Sequence, residues 1–173
     1  MQVPLRSLQS VTIHEGVKEI GERAFYKCSS LKSVTIPKGV KEIRHRTIHE
    51  GVKEIGFRAF FGCRSLQSVT IPEGVKVIGV QAFAGCRSLK SVTIPEGVKN
   101  IEAEAFAECS SLHSVTIPEG VKEIKGRAFY KCSSLKSVII PEGVEIGWTA
   151  FSGCSSLRDE HFARSRASNN LQA

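Results

Sequence analysis

Ser65-Leu-Gln-Ser-Val-Thr-Ile-Pro-Glu-Gly-Val-Lys-Val-Ile-Gly-Val-Gln-Ala-Phe-Ala-Gly-Cys86 is one copy of a pattern that fills almost the whole chain. Its last residue counts the copies: Cys28, Cys63, Cys86, Cys109, Cys132 and Cys154 lie 35, 23, 23, 23 and 22 residues apart. The Ala-Phe pairs ending at Phe25, Phe60, Phe83, Phe106, Phe129 and Phe151 repeat the same intervals. A fixed period of this length marks a repeat architecture, in which each unit contacts only its neighbours.

The two irregular intervals have local causes. Gly-Val pairs followed by Lys or Glu begin at Gly16, Gly39, Gly51, Gly74, Gly97, Gly120 and Gly143, seven for six cysteines, and the extra one follows its predecessor by only 12 residues. Thr12 to Gly21 and Thr47 to Gly56 are the same ten residues, TIHEGVKEIG. An unequal exchange that left a truncated unit near 38–47, without its Ala-Phe-x-x-Cys half, accounts for both facts. A bulge or loop is predicted between Lys38 and Thr47. The short final interval arises because Gly143-Val-Glu-Ile lacks the usual Lys.

Within a unit, Leu89, Val92 and Ile94 carry the apolar positions of a strand, with Ser91 and Thr93 alternating on the other face. Pro95-Glu96-Gly97 is turn chemistry, and the glycine is expected to take a left-handed conformation there. Val98 and Ile101 form a second short apolar pair, and the i, i+4 spacing of Ala105 and Cys109 suits a single helical turn. Leu, Val, Ile, Val, Ile, Ala, Phe and Cys thus recur in every unit. No unit of this size can bury them alone. Stacked copies can, each side chain resting on its counterpart about 4.8 Å away. The unit is too short for a βαβ crossover helix. An α/β repeat protein follows: a parallel β-solenoid, right-handed by the usual rule for such connections, with a parallel sheet on one face and short strands or helical turns on the other. Residues 1–158 form the solenoid of about six coils, and 159–173 form a polar C-terminal tail.

The pattern Leu-x-Ser-Val-Thr-Ile-Pro-x-x-Val-x-x-Ile-Gly-x-x-Ala-Phe-x-x-Cys, over about residues 7 to 157, resembles the BspA-like leucine-rich repeat. That family is known from surface proteins of bacteria and some protists. The resemblance implies a leucine-rich-repeat solenoid and a role in adhesion or protein binding, with a cell-surface or secreted location. Met1-Gln-Val-Pro-Leu-Arg-Ser does not have a basic-then-apolar signal layout, and no wall or membrane anchor is recognisable.

Composition invites three further readings, and each weakens on inspection. Six cysteines could form disulfides or bind zinc, but no two are closer than 22 residues in sequence, whereas zinc sites use tightly spaced pairs. Side chains stacked in parallel also suit the disulfide dihedral poorly, which favours a column of buried thiols. His45 and His49 have i, i+4 spacing but no evident third ligand; His14, His113 and His161 stand apart. A catalytic triad would have to use Asp159, the single aspartate, and no glycine-rich phosphate loop occurs. Neither catalysis nor a cofactor is expected.

The 24 Lys and Arg against 17 Asp and Glu give +7, which could suggest nucleic acid. The charges instead fall into columns. Lys18, Lys41, Lys53, Lys76, Lys99 and Lys122 share one phase, and Glu15, Glu50, Glu73, Glu96, Glu119 and Glu142 lie three residues earlier. The excess comes from scattered residues: Arg44, Arg46, Arg64, Arg87, Arg158, Arg164 and Arg166. No nucleic-acid partner and no membrane span are expected, since no apolar run approaches the ~18 residues of a span.

The sheet face remains. Its outward positions are Ser33/Thr35, Ser68/Thr70, Ser91/Thr93 and Ser114/Thr116, with Ser10/Thr12 and Ser137/Ile139 at the ends. They are flanked by Gln9, Lys32, Gln67, Lys90, His113 and Lys136. The expected function is a non-catalytic interaction or adhesion module whose sheet face takes a protein or glycan. The alternative is a structural or decaying repeat array without a dedicated ligand, because the coils are nearly identical. Uncapped sheet edges would also favour end-to-end self-association.

Overall fold

In the computed structural model, residues 7–14, 16–36 and 52–158 are described, together with the backbone of 162–165. One face carries β1 (Ser10–Thr12), β3 (Ser33–Thr35), β5 (Ser68–Thr70), β7 (Ser91–Thr93), β9 (Ser114–Thr116), β11 (Ser137–Pro141) and β13 (Phe162–Ser165). A second face carries β2 (Glu19–Ile20), β4 (Glu54–Ile55), β6 (Val77–Ile78), β8 (Asn100–Ile101), β10 (Glu123–Ile124) and β12 (Glu145–Ile146). On the first face, β1, β3, β5 and β7 form one parallel sheet and β9, β11 and β13 another. The two are joined just before their strands by His113 N–H, which donates to Lys90 O at 3.2 Å. The six short strands of the second face form one continuous parallel sheet.

The register places each residue on its own repeat counterpart: Ser68 on Ser91, Val69 on Val92, Ile55 on Ile78 and Ile101 on Ile124. The predicted bulge between Lys38 and Thr47 lies outside the described residues. Around it, β3 pairs directly with β5 (Ser33 on Ser68), and β2 with β4 (Glu19 on Glu54), so the register continues across the long interval. Beyond residue 158, in the segment read as a tail, the backbone of Phe162–Ser165 pairs with Val138–Pro141 and adds a strand to β11.

All eight repeating apolar positions are inside. Leu66, Leu89, Leu112 and Leu135 are fully buried, as are Ile55, Ile78, Ile101 and Ile124 and the central phenylalanines and cysteines. The phenylalanines form a ladder: Phe25, Phe60, Phe83, Phe106, Phe129 and Phe151 stack with centroids 5.1–5.3 Å apart and planes within 10°. Burial of each large apolar side chain contributes about 1.5–3 kcal/mol, and here it is available only between coils.

Two local expectations are corrected. The segment from Ala105 to Cys109 is not a helical turn, and the described residues contain no α-helix. Its N–H groups alternate: Ala105 and Ala107 donate three residues back, to Glu102 O and Glu104 O, whereas Phe106 and Glu108 donate to Ala128 O and Tyr130 O of the next coil. Turns in this arrangement satisfy the backbone both within and between coils, which a helix cannot do. The alternation needs left-handed residues, and Glu104 and Glu108 supply them at φ 56° and 58°.

The second correction concerns the Pro-Glu-Gly turn. Val98 N–H donates to Pro95 O at 3.1 Å and closes it, but Gly97 and Gly120 are not among the glycines with positive φ. They are required by proximity instead. A Cβ on Gly97 would lie 2.2 Å from Glu73 O, and one on Gly120 would lie 2.1 Å from Glu96 O. At Gly74 the nearest atom, Val52 O, is 3.3 Å away. Gly120→Ala is therefore expected to cost about 2–3 kcal/mol, against less than about 1 kcal/mol for Gly74→Ala. Urea denaturation of the two variants checks this; equal costs would refute the close-approach account.

Candidate functional site: an exposed hydroxyl ladder edged by lysines

The sheet face is built by alternation. In each Ser-Val-Thr strand the valine points inward, and the register stacks the outward hydroxyls coil upon coil. Ser33, Thr35, Ser68, Thr70, Ser91, Thr93, Ser114 and Thr116 are all exposed. One residue earlier, the backbone ladder continues through Lys32, Gln67, Lys90, His113 and Lys136, each N–H donating to the carbonyl of the preceding coil at 2.8–3.2 Å. These side chains are exposed too, and Lys32 Nζ donates to Gln9 Oε1 at 3.4 Å. All twelve residues singled out from the sequence therefore share one surface. It is a band of hydroxyls beside a column with three ammonium groups and no carboxylate. The band ends where Ile139 replaces threonine and is 44% exposed.

The other chemistry-bearing residues are placed differently. All six cysteines are free thiols buried in one column. Five of them have a role the sequence did not reveal: Cys63, Cys86, Cys109, Cys132 and Cys154 donate their thiol to the carbonyl of Phe25, Phe60, Phe83, Phe106 and Phe129, at 3.1–3.3 Å. Burial pushes the Cys63 and Cys109 thiols up to about 12 and raises Cys86 and Cys28 as well. Such thiols are protonated and inert at neutral pH. His45 and His49 lie outside the described residues. Among the described residues, no three His, Cys, Asp or Glu side chains gather as a metal site. No helix among them is long and apolar enough to cross a membrane.

One surface feature escaped the sequence reading. On the turn side of the coils a cavity of about 270 Å³ is lined by Lys27, Phe61, Gly62, Arg64, Gly85 and Arg87, with Ser29 and Glu108. Arg64 and Arg87 read as scattered charges in sequence. The available signal was the triplet Gly-Cys-Arg, which occurs at 62–64 and 85–87 and in no other unit.

The comparisons with known proteins agree with this architecture. The family described as the BspA type leucine rich repeat region matches residues 5–49 and 42–158, in six copies. A leucine-rich repeat protein of T. pallidum is 35% identical, with a TM-score of 0.64, over 72% of this chain and 56% of its own. A leucine rich cell surface protein of Faecalibacterium prausnitzii is 31% identical, with a TM-score of 0.64, over 88% of this chain and 47% of its own. A leucine-rich repeat protein of Eubacterium ventriosum is 25% identical, with a TM-score of 0.61, over 84% of this chain and 42% of its own. The chain thus spans about half the length of the first two solved relatives. No curated protein matches it. Six copies of the family's repeat, stacked in the solenoid that its solved relatives share, place this chain in the BspA-type leucine-rich repeat family.

Proposed function

We propose that the chain is a non-catalytic adhesion module that binds a protein or glycan ligand across the Ser/Thr sheet face. The observation that carries this reading is the exposed band of hydroxyls from Ser33 to Thr116 with Lys32, Lys90 and Lys136 along its edge. Repeat proteins bind through such extended surfaces, where many weak contacts add along a rigid scaffold. Stacked hydroxyls donate and accept hydrogen bonds, and ammonium groups two coils apart attract acidic partners without crowding one another. The cysteines are buried away from this face, and His113 is the one histidine along its edge among the described residues. The surface location named for the F. prausnitzii relative favours adhesion as the setting.

The test is a protein and glycan array probed with the wild-type chain and with the combined Lys32→Ala, Lys90→Ala, Lys136→Ala variant. Loss of the three ammonium groups is expected to weaken binding about tenfold or more, with a salt dependence that disappears alongside it. Binding that survives the triple change, or an array without any binding, would overturn the sheet-face assignment.

A further inference from the structure

The sheet face is nearly the same in every coil, and a recognition site for one small ligand should not be. The turn side does vary. The residue before each cysteine is Lys27, Gly62, Gly85, Glu108, Lys131 and Gly153 in succession, and the residue after it is Ser29, Arg64, Arg87, Ser110, Ser133 and Ser155. Two adjacent coils therefore omit a side chain and add a guanidinium beside the gap. The cavity lies there.

Its construction follows from the stacking. Gly62 and Gly85 have φ of +71° and +74°, the left-handed geometry that Lys27 and Glu108 adopt at the same repeat position with φ 54° and 58°. The Lys27 stem leans over Gly62, its Cγ 3.2 Å from where a Cβ there would be. A side chain at Gly85 would fit, since the nearest atom to a Cβ there is Gly62 Cα at 3.6 Å, an ordinary contact. Arg64 and Arg87 line the cavity from the next column. Glu108 closes the far end and meets Arg87 at 3.5 Å. Among the described residues Arg64 has no carboxylate partner. Three cations thus face one carboxylate. Phe61 supplies an apolar wall, its ring held by stacking on Tyr26 with centroids 5.3 Å apart.

We propose that this cavity binds a single sugar ring bearing one oxyanion, either a carboxylate or a sulfate. The guanidinium forks of Arg64 and Arg87 suit the two-oxygen geometry of such groups, and Lys27 adds a point charge. Phe61, whose ring also carries the Arg58 guanidinium 5.2 Å from its centroid, offers the part that lines the cavity to the C–H groups of the sugar, an apolar contact that a bare inorganic anion cannot use. About 270 Å³ lies just below the ~300 Å³ at which typical small-molecule pockets begin, which limits the occupant to one small unit.

The repeat itself supplies variants that the fold already tolerates. Arg64→Ser with Arg87→Ser restores the residue of the other coils, Gly85→Lys refills the gap as at Lys131, and Phe61→Ala copies Ala84. Amide shifts in ¹⁵N-labelled protein are followed during titration with glucuronate, glucose 6-sulfate, glucose and inorganic sulfate. At least one acidic sugar is expected to move the amides of 61–64 and 84–87, and comparison of the two identifies the oxyanion preferred. The double arginine variant and Gly85→Lys are each expected to weaken that binding about tenfold or more. Phe61→Ala should reduce acidic-sugar binding to the level of inorganic sulfate. Four results would each overturn the proposal: no shifts with either acidic sugar, equal binding of neutral glucose, equal binding of inorganic sulfate to wild type, or undiminished binding by the double arginine variant. The Lys32, Lys90, Lys136 variant should bind the acidic sugar normally, which keeps this site separable from the sheet face.

Discussion

Phe106→Ala is expected to cost about 3–5 kcal/mol, the range for truncating a fully buried aromatic ring. Phe106 is inaccessible to solvent and stacks on Phe83 and Phe129, both at 5.3 Å. Its removal opens a cavity in the middle of the ladder and deletes two ring contacts, each worth about 0.5–1.5 kcal/mol beyond area. The backbone around it cannot close the gap. Phe106 N–H is tied to Ala128 O at 2.7 Å, and its carbonyl receives the Cys132 thiol at 3.2 Å. A solenoid is held by nearest-neighbour interfaces, so weakening one in the centre separates the coils on either side. Urea unfolding of this variant should broaden or split into two steps. Phe25→Ala, at a half-buried end position stacked on Phe60 at 5.1 Å, should cost about half as much or less and keep a single transition. Equal costs at the two sites would show that the ladder is not the unit of cohesion.

That asymmetry explains why the sequence disclosed the core so fully. A residue repeated at a fixed phase must sit on its own copy, so Leu, Val, Ile, Ala, Phe and Cys could be assigned to the interior by period alone. The same logic placed Ser33 to Thr116 on the surface. It failed where backbone geometry is set by neighbours rather than by residue type. Nothing in Arg58, Gln81 or Glu104 announces a left-handed conformation, yet they have φ of 54°, 56° and 56° because alternate N–H groups must reach the next coil. Gly97 and Gly120 announced one and do not adopt it. At those two positions the glycine carried information about distance, whereas Gly143, in the Pro-Glu-Gly turn of the last coil, does adopt a φ of 82° with nothing within 4 Å of a Cβ.

The candidate sites divide along the same line. The hydroxyl ladder is a consequence of the repeat and was legible from it. The turn-side cavity is a departure from the repeat, and departures look like scatter until the stacking brings them together. Arg64 and Arg87 are a full unit apart in sequence, but they line one cavity. The thiol hydrogen bonds were hidden for a different reason: a cysteine column reads equally well as apolar filler, and only the position of the phenylalanine carbonyls shows what the sulfur does.

The thiol column makes the fold sensitive to alkali, and the sign of the effect follows from burial. A thiolate in the core has lost its water and gains no cation in return, so the folded chain keeps Cys63, Cys86 and Cys109 protonated. Cys63 and Cys109 rise from the usual 9.0 to about 12. Below pH 9 both folded and unfolded chains carry the proton, and stability is at its full value. As pH rises from 9 towards 12, the unfolded chain releases protons that the folded chain retains, and stability falls. At pH 10.5 each of these two thiols removes about 2 kcal/mol. Together they give a slope of about 2.7 kcal/mol per pH unit, to which the raised Cys86 adds in the same direction. The expected result is a steep drop in urea midpoint between pH 9.5 and 11. Lysine and tyrosine also titrate there, so the decisive comparison is with the Cys63→Ala, Cys109→Ala variant. That variant loses two thiol hydrogen bonds and is less stable at pH 7, but its alkaline slope should be shallower by the share of the two missing groups. Its stability curve should therefore approach that of the wild type as pH rises. An unchanged slope would mean that the thiols ionise as readily in the folded chain as in the unfolded one, which a sealed column between stacked phenylalanines does not permit.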